Sequence, residues 1–424
     1  LRPESSDSPV LQVLQILGLS VGLPYFCLAT TGPLVQHWFT NTAHAQSVFR
    51  LYALSNVGSF LALLSFPYVL EPWLEQQQMG QLWTIGFWVF ALLCLPVALG
   101  AWQNKTETAN AAVNLGPKTK LPVAQRLSWI ALPALASLVF ISATDQISHD
   151  VAPEPRLWIS TLGLYLVTFI LTFDHPRWYR PRLFGALALV LLLVTAGMSD
   201  IPQWFGFEWD YGVNDVRWSH YALLFVVCML CHGELYRRRP TDTRWLTEFY
   251  FCMSIGGAFG GLFVTLVATQ WFDDYHEWLM ALVLVALLAC QVLFRSNSKR
   301  PGLGGRLVGV FTAIVMVALL VAMQNPWSWR EVRKADRTEV LLDQDRNFYG
   351  TVSVKERRFL NEPERNDRVF FSGNVTHGQQ FLSESLRHVP TTYYARDSGI
   401  GETLLWAMSQ KPSLSVALIG LGAG

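Results

Sequence analysis

The chain has 424 residues, 51% of them hydrophobic and only 15% charged, with 17 tryptophans and a formal net charge of +1. A typical soluble domain carries about 25% charged residues, so the composition excludes an ordinary soluble enzyme as the account of the whole chain. The near-neutral balance argues against a nucleic-acid partner, and the placement of all six cysteines (Cys27, Cys94, Cys228, Cys231, Cys252 and Cys290) in apolar stretches excludes a disulfide-stapled module.

The opening, Leu1 to Asp7, has neither an initiator Met nor a signal-type basic start. The sequence is therefore expected to be a piece of a longer protein, cut at both ends. Charge divides it near Asn325. Residues 1–325 hold 19 Lys+Arg and 19 Asp+Glu; the much shorter 326–424 holds 13 and 12. Residues 1–325 are thus expected to form a multi-pass transmembrane domain embedded in the lipid bilayer. Ten apolar stretches approach the length needed to cross about 30 Å of hydrocarbon: 10–32, 48–70, 81–102, 127–145, 156–173, 183–199, 218–236, 248–270, 277–295 and 304–324.

Alternate loops are basic. The 103–126 loop carries Lys105, Lys118, Lys120 and Arg126; Arg177, Arg180 and Arg182 follow the fifth span; Arg237, Arg238, Arg239 and Arg244 follow the seventh. The intervening loops are poor in Lys and Arg, and 271–277 carries Asp273, Asp274 and Glu277. The positive-inside rule puts the basic loops in the cytoplasm of a cell (inner) membrane protein. Parity then sends residues after the tenth span outward, while Arg330, Arg333, Lys334 and Arg337 pull the other way, so the side of the tail stays open at this stage.

Within the spans, Cys228-Met229-Leu230-Cys231-His232 matches the C-x-x-C-H haem pattern, but haem attachment inside an apolar span is implausible. His232 with Glu234, Asp145 with His149 and Asp150, and Glu248 are ionisable groups near span ends, candidates for function or for the headgroup zone. Gly256-Gly257-Ala258-Phe259-Gly260-Gly261 contains two overlapping G-x-x-x-G pairs and reads as a surface for close helix packing rather than a nucleotide loop. Pro24, Pro33 and Pro67 are expected to kink or end their helices.

After Trp327 and Trp329 the pattern changes period. Strands are expected at 338–342, 347–355 and 368–373, with a turn at Arg365-Asn366-Asp367 and a helix over 399–409. Residues 326–385 then form a small β-rich part, and 386–424 the first helix, strand and glycine turn of a truncated Rossmann-like domain. The last stretch, Ser413 to Gly424, reads as a strand buried on both sides running into Gly420-Leu421-Gly422-Ala423-Gly424. Such a turn lets backbone approach a ribose or phosphate closely. Gly420, Gly422 and Gly424 are therefore the candidate cofactor-side residues.

Several segments resemble the spermidine synthase (aminopropyltransferase) family. They are Asn347-Phe348-Tyr349-Gly350, Thr376-His377-Gly378-Gln379-Gln380-Phe381, Pro390-Thr391-Thr392-Tyr393-Tyr394, Asp397-Ser398-Gly399-Ile400-Gly401 and the terminal glycine turn. The likeness is closer to its membrane-embedded branch, fused major-facilitator/spermidine synthase proteins, through Ser20 to Phe26, Arg50 to Asn56, Cys231 to Leu235 and Leu246 to Tyr250. The resemblance implies a polytopic α-helical membrane protein with the start of a C-terminal α/β S-adenosylmethionine-binding-type domain behind a small β meander. It implies transfer of an aminopropyl group from decarboxylated S-adenosylmethionine, as co-substrate and without a metal, to a small-molecule amine acceptor of the polyamine type. Tyr394, Asp397, His377 and Gln379 are the implied substrate-side residues. The family's catalytic acid would lie beyond Gly424, so residues 1–424 alone are not expected to be active.

The chain departs from the soluble members of that family. The third strand ends Phe371-Ser372-Gly373 without their Asp, the counterpart of their Gln is Gln379 or Gln380, and their acidic-Tyr-His segment is replaced by Thr391 to Asp397. An S-adenosylmethionine-dependent methyltransferase-like or nucleoside-binding domain on a transporter or sensor scaffold is the alternative. Asp397 also has an ordinary alternative, as a cap on the 399–409 helix.

Overall fold

The structure, a computed structural model, describes residues 9–39, 48–103, 120–150, 154–197, 212–295, 303–324, 331–334, 336–347, 350–373, 375–411 and 413–417. Helix α1 (Pro9–Leu17) passes through a π-helical stretch, Gly18–Gly22, into α2 (Leu23–Phe39). There follow α3 (Val48–Ser65), α4 (Gln76–Gln103), α5 (Val123–Asp150), α6 (Pro155–Asp174), α7 (Pro181–Ala196), α8 (Val213–Arg237), α9 (Leu246–Leu262), α10 (His276–Arg295) and α11 (Leu303–Gln324). Beyond them lie five strands and α12 (Gly399–Gln410).

Among the described residues, eight helices are long and apolar enough to cross a membrane. One of the ten expected spans falls short, Pro181–Ala196, whereas α11 runs 22 residues over the expected 304–324. At about 1.5 Å per residue, the 16 residues of α7 reach only about 24 Å. Its start is fixed by Pro181, whose ring suits the first helical turn and whose missing N–H costs nothing there.

Two of the three prolines lie at or near a local widening of the helix. Pro67 lies in the π-helical Phe66–Leu70, and Pro24 is the second residue of α2, just past the π-helical Gly18–Gly22. Proline removes one helical donor and crowds the preceding turn, and a π turn absorbs both effects. Pro33 is carried inside α2.

The core lies where α5, α8 and α9 meet α6 and α10. Trp129, Phe173, Leu223, Phe249 and Leu282 are fully buried there. The glycines of α9 set its closest contact. A Cβ on Gly256 would come within 2.1 Å of the Ile130 carbonyl oxygen, and one on Gly260 within 2.1 Å of the Ala134 oxygen. Helix α9 therefore lies backbone to backbone on α5, the packing that the G-x-x-x-G spacing predicts.

The Cys228–His232 stretch lies wholly inside α8. Both cysteines are free and buried in α8. The His232 ring stacks on Phe169 at 3.6 Å, and its Nδ1 lies 2.9 Å from the Thr168 hydroxyl. Glu234, near the end of α8, is buried. It accepts hydrogen bonds from the Tyr179 hydroxyl and from Arg237 and Arg238, at 2.7 to 3.1 Å. The carboxylate on α8 thus gathers the basic end of the bundle around itself.

The strands form one antiparallel meander in the order β1-β2-β3-β4-β5. They are β1 (Glu331–Arg333), β2 (Arg337–Asn347), β3 (Gly350–Phe359), β4 (Asp367–Ser372) and β5 (Val375–Phe381). Three of them overlap the expected strands, with Asn347 ending β2 rather than opening β3, and β1 and β5 add two that the sequence pattern did not reveal. Gly350 and Gly373 hold φ of 136° and 57° at the β2–β3 and β4–β5 turns, a region open to glycine. The expected terminal strand is not formed over 413–417, and Val416 is 63% exposed. A parallel strand needs a hydrogen-bonded neighbour, and no described strand lies beside this one. Gly420, Gly422 and Gly424 lie outside the described residues.

Among the described residues, the sheet meets the helices at a joint around Arg346. Arg346, near the end of β2, makes a two-pronged ion pair with Glu277 of α10, at 2.9 and 2.8 Å. The two side chains are 2% and 0% exposed. The same guanidinium donates to the Asp274 carbonyl at 2.8 Å and lies 4.2 Å from the Tyr275 ring centre. Gln344, two residues earlier, donates to the Asp273 carbonyl.

Candidate functional site

Two consecutive segments of the tail hold the residues singled out for substrate contact. His377 and Gln379 lie on β5; Tyr394 and Asp397 follow in the stretch leading to α12. A one-turn helix, Thr392–Tyr394, folds back as a strap over β5. The Thr391 hydroxyl donates to the Gln379 carbonyl oxygen, and the Tyr393 hydroxyl to the Thr376 carbonyl oxygen. Tyr393 also stands 3.5 Å from His377 Nδ1. Its neighbour Tyr394 meets it edge-on, with ring centres 5.8 Å apart.

His377 sits at an irregularity in the ladder. Phe370 pairs with Gly378 and Phe371 with Thr376, so His377 has no partner position on β4. A bulge of this kind turns a side chain off the regular alternation and is common beside active sites. Here it brings the imidazole next to Tyr393.

Gln379 faces a different feature. Its side-chain amide donates to Asp367 Oδ2 at 2.7 Å, and Arg357 grips the same carboxylate with two bonds of 2.7 Å. The Asp367 side chain is 1% exposed. A buried carboxylate is tolerable only when paired and hydrogen-bonded, and Arg357 and Gln379 meet that need together. These groups line a cleft of about 490 Å3. Its other walls include Arg337, Arg365 and Glu362, with the Phe359 ring under all three arginines at 5.7 to 5.9 Å. Beside the cleft, burial works to raise the Glu339 carboxyl, but hydrogen bonds from Lys334 and Arg337 outweigh it and hold the group below its ordinary value.

Gln379 therefore lines the cleft, His377 and Tyr393 meet at the strap, and Tyr394 and Asp397 lie further along the chain. Asp397 is exposed and does not cap α12. Ser398 does, its hydroxyl accepting from the Gly401 backbone N–H at 3.2 Å. Sequence reasoning missed Arg357 and Asp367, which are ten residues apart and meet only once β3 and β4 pair. It also passed over Thr392, which holds φ of 54° and whose hydroxyl is buried without a hydrogen-bond partner. A β-branched residue in the left-handed region is strained, and such strain clusters at functional sites.

No protein-family model, no curated protein and no solved structure matches the chain.

Proposed function

We propose that this is a multi-pass protein of the cell membrane whose C-terminal part is an aminopropyltransferase of the spermidine synthase type. The observation that carries the reading is the meeting of β5 with the Thr391–Tyr394 strap beside a cleft that holds a buried carboxylate. In the proposed reaction, an amine nitrogen loses a proton and attacks a carbon next to a sulfonium. A C–N bond forms, the C–S bond breaks, and the sulfur departs as a neutral thioether. Most of the acceleration comes from positioning and from anionic groups that favour the amine. Asp336, Glu362 and Asp367 around the cleft are groups of the right charge for an ammonium, with Gln379 as a neutral neighbour. The adenosyl donor would fall to Gly420, Gly422 and Gly424.

One observation favours a second reading, methyl transfer or simple nucleoside binding. The Asp367 carboxylate is already neutralised by Arg357, so a diamine would have to displace a guanidinium from it. One experiment separates the two. The full-length protein in detergent is incubated with putrescine and decarboxylated S-adenosylmethionine, then with S-adenosylmethionine, and the products are weighed by mass spectrometry. An added aminopropyl group that disappears in the Gln379→Ala variant supports the first reading. Methyl addition, or nucleoside binding with no product from either donor, replaces it with the second.

A further inference from the structure

The two ends of the helical bundle differ in charge, and the sheet sits on only one of them. At one end, Arg50 of α3 donates to the Asp174 carbonyl at the close of α6. There, Arg126 of α5 pairs with Glu248 of α9 at 3.0 Å. Gln125 and Trp129 of α5 both donate to the Arg238 carbonyl just past α8. The Tyr179 hydroxyl brings the α6–α7 connection to Glu234 at the same end. The basic connections 175–180 and 238–245, and the starts of α3, α5 and α9, are therefore gathered at one end.

The other end is acidic. It holds Asp145 near the close of α5, Asp215 in the first turn of α8, and Asp273, Asp274 and Glu277 around the α9–α10 connection. His220 of α8 stacks on Trp278 of α10 at 5.4 Å, which brings those two helix starts together. This is where Arg346 and Gln344 of β2 dock, through Glu277 and the carbonyls of Asp273 and Asp274. Connections rich in Lys and Arg remain on the cytoplasmic side, because moving them across the membrane is unfavourable.

We propose that the sheet and its cleft open into the compartment opposite the cytoplasm, and that whatever the cleft binds is drawn from there. The inference rests on the joint at Arg346 and on the two charged ends, and it stands whichever chemistry the cleft carries out. It bears on that chemistry through supply. Adenosyl donors are made in the cytosol, so a transferase facing outward needs its donor exported, whereas extracellular amines reach it directly.

Single cysteines placed at exposed positions test the inference in the full chain. Glu384→Cys and Arg387→Cys report the tail, and Arg177→Cys reports the basic end; the unsubstituted chain gives the background from native cysteines. Cells are treated intact, and separately after lysis, with a membrane-impermeant maleimide. Both tail positions are expected to label in intact cells as fully as in lysed ones, with Arg177→Cys labelled only after lysis. Tail cysteines protected until lysis would overturn the proposal. So would equal labelling of both ends in intact cells, because the two ends would then not face opposite compartments. Since labelling needs no activity, failure here is distinct from failure of the transfer assay.

Discussion

The ion pair between Arg346 and Glu277 allows a quantitative test of how the sheet is held. In Glu277→Gln the carboxylate becomes an amide, and the guanidinium stays in a site where its side chain is 2% exposed. Removing one partner of a buried pair costs about 3 to 5 kcal/mol, because an uncompensated charge is left behind. Arg346 keeps the Asp274 carbonyl and the Tyr275 ring, so the lower figure applies, about 3 kcal/mol. At about 1.4 kcal/mol per factor of ten, the ratio of seated to unseated sheet falls by about 150-fold. The double variant Glu277→Gln/Arg346→Gln removes both charges of the pair and is expected to recover most of the loss. Limited trypsin digestion in detergent, with the tail and the helical bundle followed separately, measures the effect. Faster loss of the tail in the single variant, an intact bundle, and recovery in the double variant are expected. A double variant as susceptible as the single one would refute the reasoning, because the cost would then lie in lost contact and not in stranded charge.

Further expectations concern other elements. Gly260→Val drives a side chain into the Ala134 carbonyl and is expected to destabilise the bundle by at least the 1 to 3 kcal/mol typical of overpacking, read as a lower melting temperature in detergent. Burial works to raise the Glu356 carboxyl, but hydrogen bonds from Arg358 and Arg368 hold it below its ordinary 4.5. A depressed carboxylate stabilises the fold above the ordinary value, and that contribution is lost as pH falls through the lower, folded one. Hydrogen exchange over β3 and β4, corrected for its intrinsic pH dependence, is therefore expected to rise below pH 4.5, and less steeply in Glu356→Gln. Thr392→Gly should leave the strap as protected from exchange as before, or more so, because glycine adopts φ of 54° without strain; Thr391→Ala, which loses the bond to Gln379, should loosen it.

Legibility in the sequence followed the range of the interactions involved. Apolar runs locate the helices because each span is a local pattern, and Gly256 and Gly260 could be read as a packing surface from spacing alone. Strand β5 was hidden because Thr376-His377-Gly378-Gln379 has no alternation of apolar and polar residues, and a bulge at His377 breaks the period that remains. Asp397 looked like a cap, but Ser398, one residue on, fits the geometry. The cleft depends on Arg357, Asp367 and Gln379, which lie on three strands, and the joint on Arg346 and Glu277, 69 residues apart. Pairings of that span leave no trace in a single sequence until the fold closes them.

The seating of the sheet also makes its own alignment matter. Arg346 and its cross-strand partner Thr351 lie at the tip of the β2–β3 hairpin. The pairing of these strands shifts between Leu341 and Asp343, where Leu342 is the additional residue. Successive side chains on a strand point to opposite faces, so a slip by one position turns every residue over. A one-residue slip of β2 against β3 would carry Arg346 to the far face, away from Glu277. The membrane helices thus act as a gauge for the hairpin: only a meander paired in the correct frame can be clamped onto them.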